Sequence, residues 1–239
     1  MFKELRYDYF FRNMEACPIK KAFEGIEYVW EALKKKDRVM KVEDKKRMRI
    51  PGNVSISGRV VIGKDTLIDD YCVIKGPSII GEGCRIRSGV LIRPGTIIGN
   101  SCVIGHGSEI KNSIVFDYAK ISSNCFVGDS IIGEGARLGS GAITGNRRFD
   151  QKPVTIKFKE KRYDTGYEKF GCVLGDYSRL GANVVTNPGT LIGPYTWVYG
   201  CSSIGGFIKE RTLVKLRQKF ELVEKEKQVL AFRDREGKV

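Results

Sequence analysis

His106 is the only histidine in this 239-residue chain. A neutral imidazole can take up a proton near pH 7, so His106 is the side chain best suited to general-base chemistry. Lys75, Arg93 and Lys111 make a second group, because they recur every 18 residues. On neighbouring strands about 4.8 Å apart, stacked cations repel unless an anion or a carboxylate lies between them. The spacing makes them a phosphate-site candidate; the alternative is three long side chains splayed into solvent. The seven cysteines have no metal-ligand spacing, and with a single histidine no metal site is expected.

The elements that must position these residues follow from a second period. Ten isoleucines, from Ile56 to Ile110, fall at an unbroken six-residue spacing. A period of six fits neither a helix nor an ordinary strand. It fits a solenoid whose short strands turn a corner every six residues, three strands making one triangular coil of 18. Glycine often follows the inward aliphatic residue, as in Ile62-Gly63, Ile80-Gly81 and Ile98-Gly99, where a sharp corner is expected. The rhythm slips twice: Ile110 to Ile121 is eleven residues and Val127 to Ile132 is five. His106 lies two after Ile104 and Ser123 two after Ile121, so the first slip stacks them one coil apart. His106 could then activate Ser123 or a substrate amine. The alternative is a corner histidine in Gly105-His106-Gly107 with no chemistry.

The resulting layout is a mainly β chain. Residues 51–206 read as roughly seven coils of parallel β-helix, with a loop at 146–170 thrown out of the stack. Residues 1–50 read as a helical or linker segment, in which Phe23, Ile26, Val29, Trp30 and Leu33 recur at helical spacing after Pro18. Leu213, Leu216, Phe220, Val223 and Leu230 predict an amphipathic C-terminal helix within 207–239. Both helical pieces are expected to cap the open ends of the solenoid. There is no secretory h-region and no apolar run long enough to span a bilayer, so a cytoplasmic protein is expected. Reduced, buried thiols fit that compartment. The net charge of +14 attracts anions such as phosphorylated sugars, nucleotides or coenzyme A. It lacks the interleaved aromatics of a nucleic-acid stacking platform, so nucleic acid is not the expected partner.

Four stretches carry a family resemblance: Ile92-Arg93-Pro94-Gly95, Glu109-Ile110-Lys111, Val127-Gly128-Asp129, and Gly139 through Asn146. In this order they resemble the hexapeptide-repeat acyltransferase half of bifunctional sugar-1-phosphate nucleotidylyltransferase/acetyltransferases. The loop Asn146-Arg147-Arg148-Phe149-Asp150-Gln151-Lys152 looks like that of archaeal members, and Tyr28 to Leu33 looks like their linker helix. The resemblance implies a left-handed β-helix, a homotrimer, and acetyl-CoA as co-substrate in a groove between subunits, with backbone amides stabilising the oxyanion. The acceptor would be a sugar phosphate or nucleotide sugar held by Lys75, Arg93, Lys111, Asn146 and Lys152.

The chain departs from the family where the chemistry is done. Ser123 stands where the family has its histidine base, Phe126 where it has tyrosine, Arg137 where it has asparagine, and Thr155 where archaeal members have a second loop lysine. A positioned base contributes about 10²–10⁴-fold, and serine alone cannot replace it. Catalysis therefore falls to His106, with Ser123 beside it. No glycine-rich, Arg-containing nucleotide loop precedes the linker, so nucleotidylyltransferase activity is not expected of this chain. The alternative function is a catalytically degenerate relative: a sugar-nucleotide binder, or a scaffold or regulatory subunit of a separately encoded nucleotidylyltransferase.

Overall fold

The computed structural model describes residues 2–40, 45–46 and 50–223. Three parallel sheets of nine, eight and eight strands wrap about one axis, giving about nine turns. Sheet I runs from Lys45–Lys46 through Thr96–Ile98 and Ile114–Val115 to Phe207–Ile208. Sheet II runs from Ser55–Ser57 through Glu109–Lys111 and Phe126–Gly128 to Ser203–Ile204. Sheet III runs from Leu67–Ile68 through Val103–Ile104 and Lys120–Ile121 to Leu213–Val214. Every coil visits II, I and III in turn. The six-residue isoleucines point inward as expected: those from Ile62 to Ile110 are at most 5 % exposed, and they form one column-like core.

Both slips in the rhythm fall at the same edge, between sheets II and I. There Asn112 and Asp129 turn the corner with φ of 47° and 49°. One residue fewer makes each corner tighter, and Asn and Asp tolerate the left-handed conformation better than most residues. The pairing confirms the counted register: Ile104 lies opposite Ile121, and Ile121 opposite Leu138.

The ends of the chain differ from the expectation. Among the described residues the N-terminal segment is a series of short 3-10 turns, with α-helices at Tyr7–Phe10 and Ala32–Val39. Its described residues up to Met40 lie along the flank of the solenoid, and Lys45–Lys46 pair with Val61–Ile62 at the end of sheet I. Phe10, Phe11, Phe23, Trp30 and Leu33 lie in one apolar cluster with Ile114, Phe116, Ile131, Val173 and Leu191. The reason is the outer surface of sheet I, whose Ile97, Ile114, Ile131, Val173 and Leu191 are all apolar and fully buried. Sheets II and III present Glu109, Lys120 and Arg137 instead and stay open. The aromatic spacing that resembles a helix is a set of anchors on this face, interrupted at Gly25 with its φ of 63°.

The C-terminal helix is likewise absent from the described residues. Phe207–Ile208 and Leu213–Val214 are strands that extend sheets I and III beyond residue 206, and 215–223 are not helical. Ile208 and Val214 pack on the solenoid core, whereas Leu213, Leu216, Phe220 and Val223 of the apolar pattern are exposed. Leu230 lies outside the described residues. The loop at 146–170 contains an antiparallel pair, Thr155–Phe158 with Lys161–Asp164, whose Ile156 and Phe158 join the cluster on sheet I. Six of the seven cysteines are buried free thiols, and Cys201 is exposed. No described helix is long and apolar enough to cross a membrane.

Candidate functional site

The edge between sheets III and II carries Ser88, His106, Ser123 and Ser140 on successive coils, by the register that pairs Ile86, Ile104, Ile121 and Leu138. The turn bearing Ser123 is tied to the one below by a bond from the Asn124 N–H to the His106 carbonyl at 2.8 Å. His106 is exposed. Its Nδ1 lies 2.7 Å from the Ser88 carbonyl oxygen and 3.1 Å from Ser88 Oγ. A carbonyl can only accept, so Nδ1 carries the hydrogen and, in the neutral ring, Nε2 keeps its lone pair. His106, Ser122, Ser123 and Ser140 line a groove of about 470 Å³. Asp69 lines the same groove but is paired with Arg87 at 3.5 Å.

The edge between sheets II and I carries the basic ladder. Lys75, Arg93 and Lys111 stack in register, as the spacing predicts. Lys75 is exposed. The other two meet carboxylates of the chain itself. Arg93 Nη1 donates to Glu109 Oε1 at 2.8 Å, and Lys111 Nζ donates to Asp129 Oδ2 at 2.9 Å. Asp129 is nearly buried, and it also accepts from Asn146 Nδ2 at 2.5 Å and from Asn112 Nδ2 at 2.7 Å. The anion expected within the ladder is thus in part built in. Arg93 retains further N–H groups beyond the one given to Glu109. Glu109 and Asp129 were not singled out from the sequence, although each lies in a family-like stretch. Asp129 follows Gly128, the residue that pairs with Lys111 on the next coil, so the slip at this edge brings its carboxylate beside Lys111.

The expected site residues therefore occupy two edges of one sheet. His106 and Lys111 are five residues apart, at most roughly 18 Å of chain. Glu109 and Phe126 lie between them on the outer surface of sheet II, with the Phe126 ring folded against Gly128. Lys152 is exposed on the loop, where its amide donates to Asp150 Oδ1 at 3.3 Å. Arg148 clasps Asp150 through two bonds, at 2.8 and 2.6 Å, and holds that carboxyl down at about 2.

A third feature was missed. Lys120, Arg137 and Arg179 project from adjacent strands of sheet III, directly paired, and Trp197 follows on the next strand. The Arg179 guanidinium sits 4.9 Å from the Trp197 ring centre. These four line a groove of about 450 Å³ that contains no acidic residue. It shares Lys120 and Ser122 with the His106 groove, so the two adjoin. The sequence signal is that each cation precedes an inward residue by one position. Arg137 was noticed only as a missing asparagine. No group of three or more His, Cys, Asp or Glu capable of holding a metal occurs among the described residues.

Comparison with known proteins places the chain among relatives. The family described as the GMPPB C-terminal domain matches residues 74–198. An uncharacterized acetyltransferase of Escherichia coli, YaiX, is 44 % identical over 140 residues, covering 59 % of this chain and 61 % of the relative. A bifunctional sugar-1-phosphate nucleotidylyltransferase/acetyltransferase of Sulfurisphaera tokodaii is 38 % identical over 150 residues, covering 63 % and 37 %. A bifunctional protein GlmU of Methanococcus maripaludis is 40 % identical over 201 residues, covering 84 % and 49 %. The chain spans less than two thirds of each of these relatives.

Proposed function

The chain belongs to the family of the GMPPB C-terminal domain, and we propose that it is a hexapeptide-repeat acyltransferase acting on a sugar phosphate or nucleotide sugar. The acceptor lies across sheet II, with its phosphate along the Lys75–Arg93–Lys111 edge beside Asn146 and its amine at His106. His106 Nε2 accepts the amine proton as nitrogen attacks the acyl carbon, the carbon–sulfur bond breaks, and the imidazolium returns that proton to the departing coenzyme A thiolate; the bond from Nδ1 to Ser88 holds the ring in that tautomer. Acetyl-CoA supplies the thioester. Its phosphates fit the Lys120–Arg137–Arg179 ladder, and Trp197 offers a face for its adenine. That the two grooves adjoin at Lys120 and Ser122 supports this most directly, because one extended donor lying over both residues would reach from the cations toward the imidazole. The acetyltransferase relatives support the same chemistry. The resemblance to trimeric enzymes and the buried thiols favour a cytoplasmic homotrimer.

Two observations favour the non-catalytic alternative, that of a sugar-nucleotide binder or of a regulatory subunit for a separate nucleotidylyltransferase. Ser123 stands where the family has its base, and Asp129 already neutralises Lys111. A thiol-release assay decides between the two, using acetyl-CoA with a panel of amino-sugar phosphates and nucleotide amino-sugars on wild type and His106→Ala. Turnover lost in the variant establishes the enzyme. No turnover, with sugar nucleotides still raising the melting temperature, establishes the binding relative.

A further inference from the structure

Lys36 lies on the helix Ala32–Val39, and its side chain is fully buried. A lysine with no exposure needs acceptors, because its ammonium loses its hydration. It has two. Nζ donates to Asp37 Oδ1 at 2.6 Å and to Asn112 Oδ1 at 2.7 Å. The second bond has a directional consequence. An ammonium has donors and no acceptor, so Asn112 must turn its oxygen to Lys36 and its NH₂ group the other way. That NH₂ meets Asp129 Oδ1, which leaves Oδ2 to receive Lys111 and Asn146.

The packing around this relay is close. Gly95 turns here with φ of 78°, and a Cβ on it would lie 2.8 Å from Asn112 Oδ1 and 3.4 Å from Lys36 Nζ. The helix is held from the other side by Tyr167. Its hydroxyl accepts the Lys34 N–H at 2.8 Å and donates to the Trp30 carbonyl at 3.2 Å. Burial pushes that phenol up to about 12, so it keeps its proton as a donor.

We infer, on the sugar-phosphate reading above, that Lys36 is a positioning residue for the acceptor's phosphate, acting through Asn112 and Asp129 on Lys111 and Asn146. The N-terminal segment thereby supports a site whose cation edge, Lys75, Arg93 and Lys111, lies on the solenoid. Without Lys36 the Asn112 amide keeps only its bond to Asp129 and loses the one that fixes its other end. Asn112 then holds the Asp129 carboxylate less firmly, and the common anchor of Lys111 and Asn146 loosens.

Two variants test this. Lys36→Met keeps the length of the side chain and removes the donor. Asn112→Gly keeps the left-handed backbone and removes the relay while Lys36 stays. Both should raise KM for glucosamine 1-phosphate about tenfold, the worth of one buried hydrogen bond, with kcat within about twofold of wild type. In parallel, NMR should find the Asn146 side-chain amide exchanging with solvent about tenfold faster in either variant, as expected for one lost hydrogen bond. That second readout needs no activity. A wild type that neither acetylates nor binds glucosamine 1-phosphate sinks the sugar-phosphate role of this edge, and with it the positioning of an acceptor. Faster exchange in the variants would then keep only the relay from Lys36 to Asn146. If Lys36→Met fails to fold, Asn112→Gly carries the test alone. Variants that melt lower but keep wild-type KM and Asn146 exchange would overturn the inference and leave Lys36 a structural lysine.

Discussion

His106 holds the Ser88 carbonyl through Nδ1 at 2.7 Å, and this bond decides which ring nitrogen is available for chemistry. The orienting partner comes from the backbone of the coil below, so no carboxylate is needed to fix the tautomer.

Replacing His106 with alanine should lower kcat/KM at least about a hundredfold, the lower end of what a positioned base contributes. The thiol-release assay checks it. Ser123 stacks one coil above, over the same groove. Placing a histidine there in the His106→Ala background should recover part of the lost rate. An unaffected rate in His106→Ala would remove His106 from the mechanism.

The cation ladder of sheet III predicts a different phenotype. Arg137→Ala takes the middle charge from between Lys120 and Arg179. KM for acetyl-CoA should rise about tenfold, which is 1.4 kcal/mol, while KM for the acceptor stays put. The defect should shrink as salt is added, since exposed charges are screened within roughly 8–10 Å. A change in acceptor KM alone would place the donor elsewhere.

Much of this was legible in the sequence, and the reasons differ by feature. The inward column was, because a six-residue spacing has one geometric meaning and Ile62 to Ile110 obey it. The stacking of Ser123 over His106 was legible too, because the slips could be counted. The carboxylates were not. Whether a ladder of Lys75, Arg93 and Lys111 is open to a ligand depends on Glu109 and Asp129, which reach it from neighbouring turns. The terminal segments misled for another reason. Apolar residues three or four apart fit a helix, but they equally fit a chain draped over an apolar sheet, as Phe23, Trp30 and Leu33 are.

The nearly buried Asp129 makes a stability prediction. Removing one partner of a buried ion pair leaves the other charge uncompensated, at about 3–5 kcal/mol. Asp129→Ala strands Lys111 and also frees Asn112 and Asn146, and alanine is less tolerant of φ at 49°. Urea unfolding should find a loss in that range. Lys75→Ala, at an exposed position on the same edge, should fall within about 0.5 kcal/mol of wild type.

Asp176 predicts the pH dependence. It ties the N-terminal arm to the solenoid, accepting the Arg12 N–H at 2.6 Å and the Glu134 N–H at 2.8 Å. Burial raises its carboxyl to about 6, against the pull of those two bonds. A group whose folded pKa is raised binds its proton more tightly in the folded state, so its contribution to stability is complete below its unfolded value near 3.9 and disappears as pH rises through 6. Going from pH 7 to pH 5 should therefore stabilise the protein by roughly 1 kcal/mol through this group. The Asp150 carboxyl, held down at about 2, does not titrate in that window. Asp176→Asn cannot titrate and should lose the gain between pH 7 and 5, as measured by urea unfolding at the two values. An equal pH response in both proteins would mean that Asp176 is ionised with an ordinary pKa, and that its two amide bonds outweigh its burial.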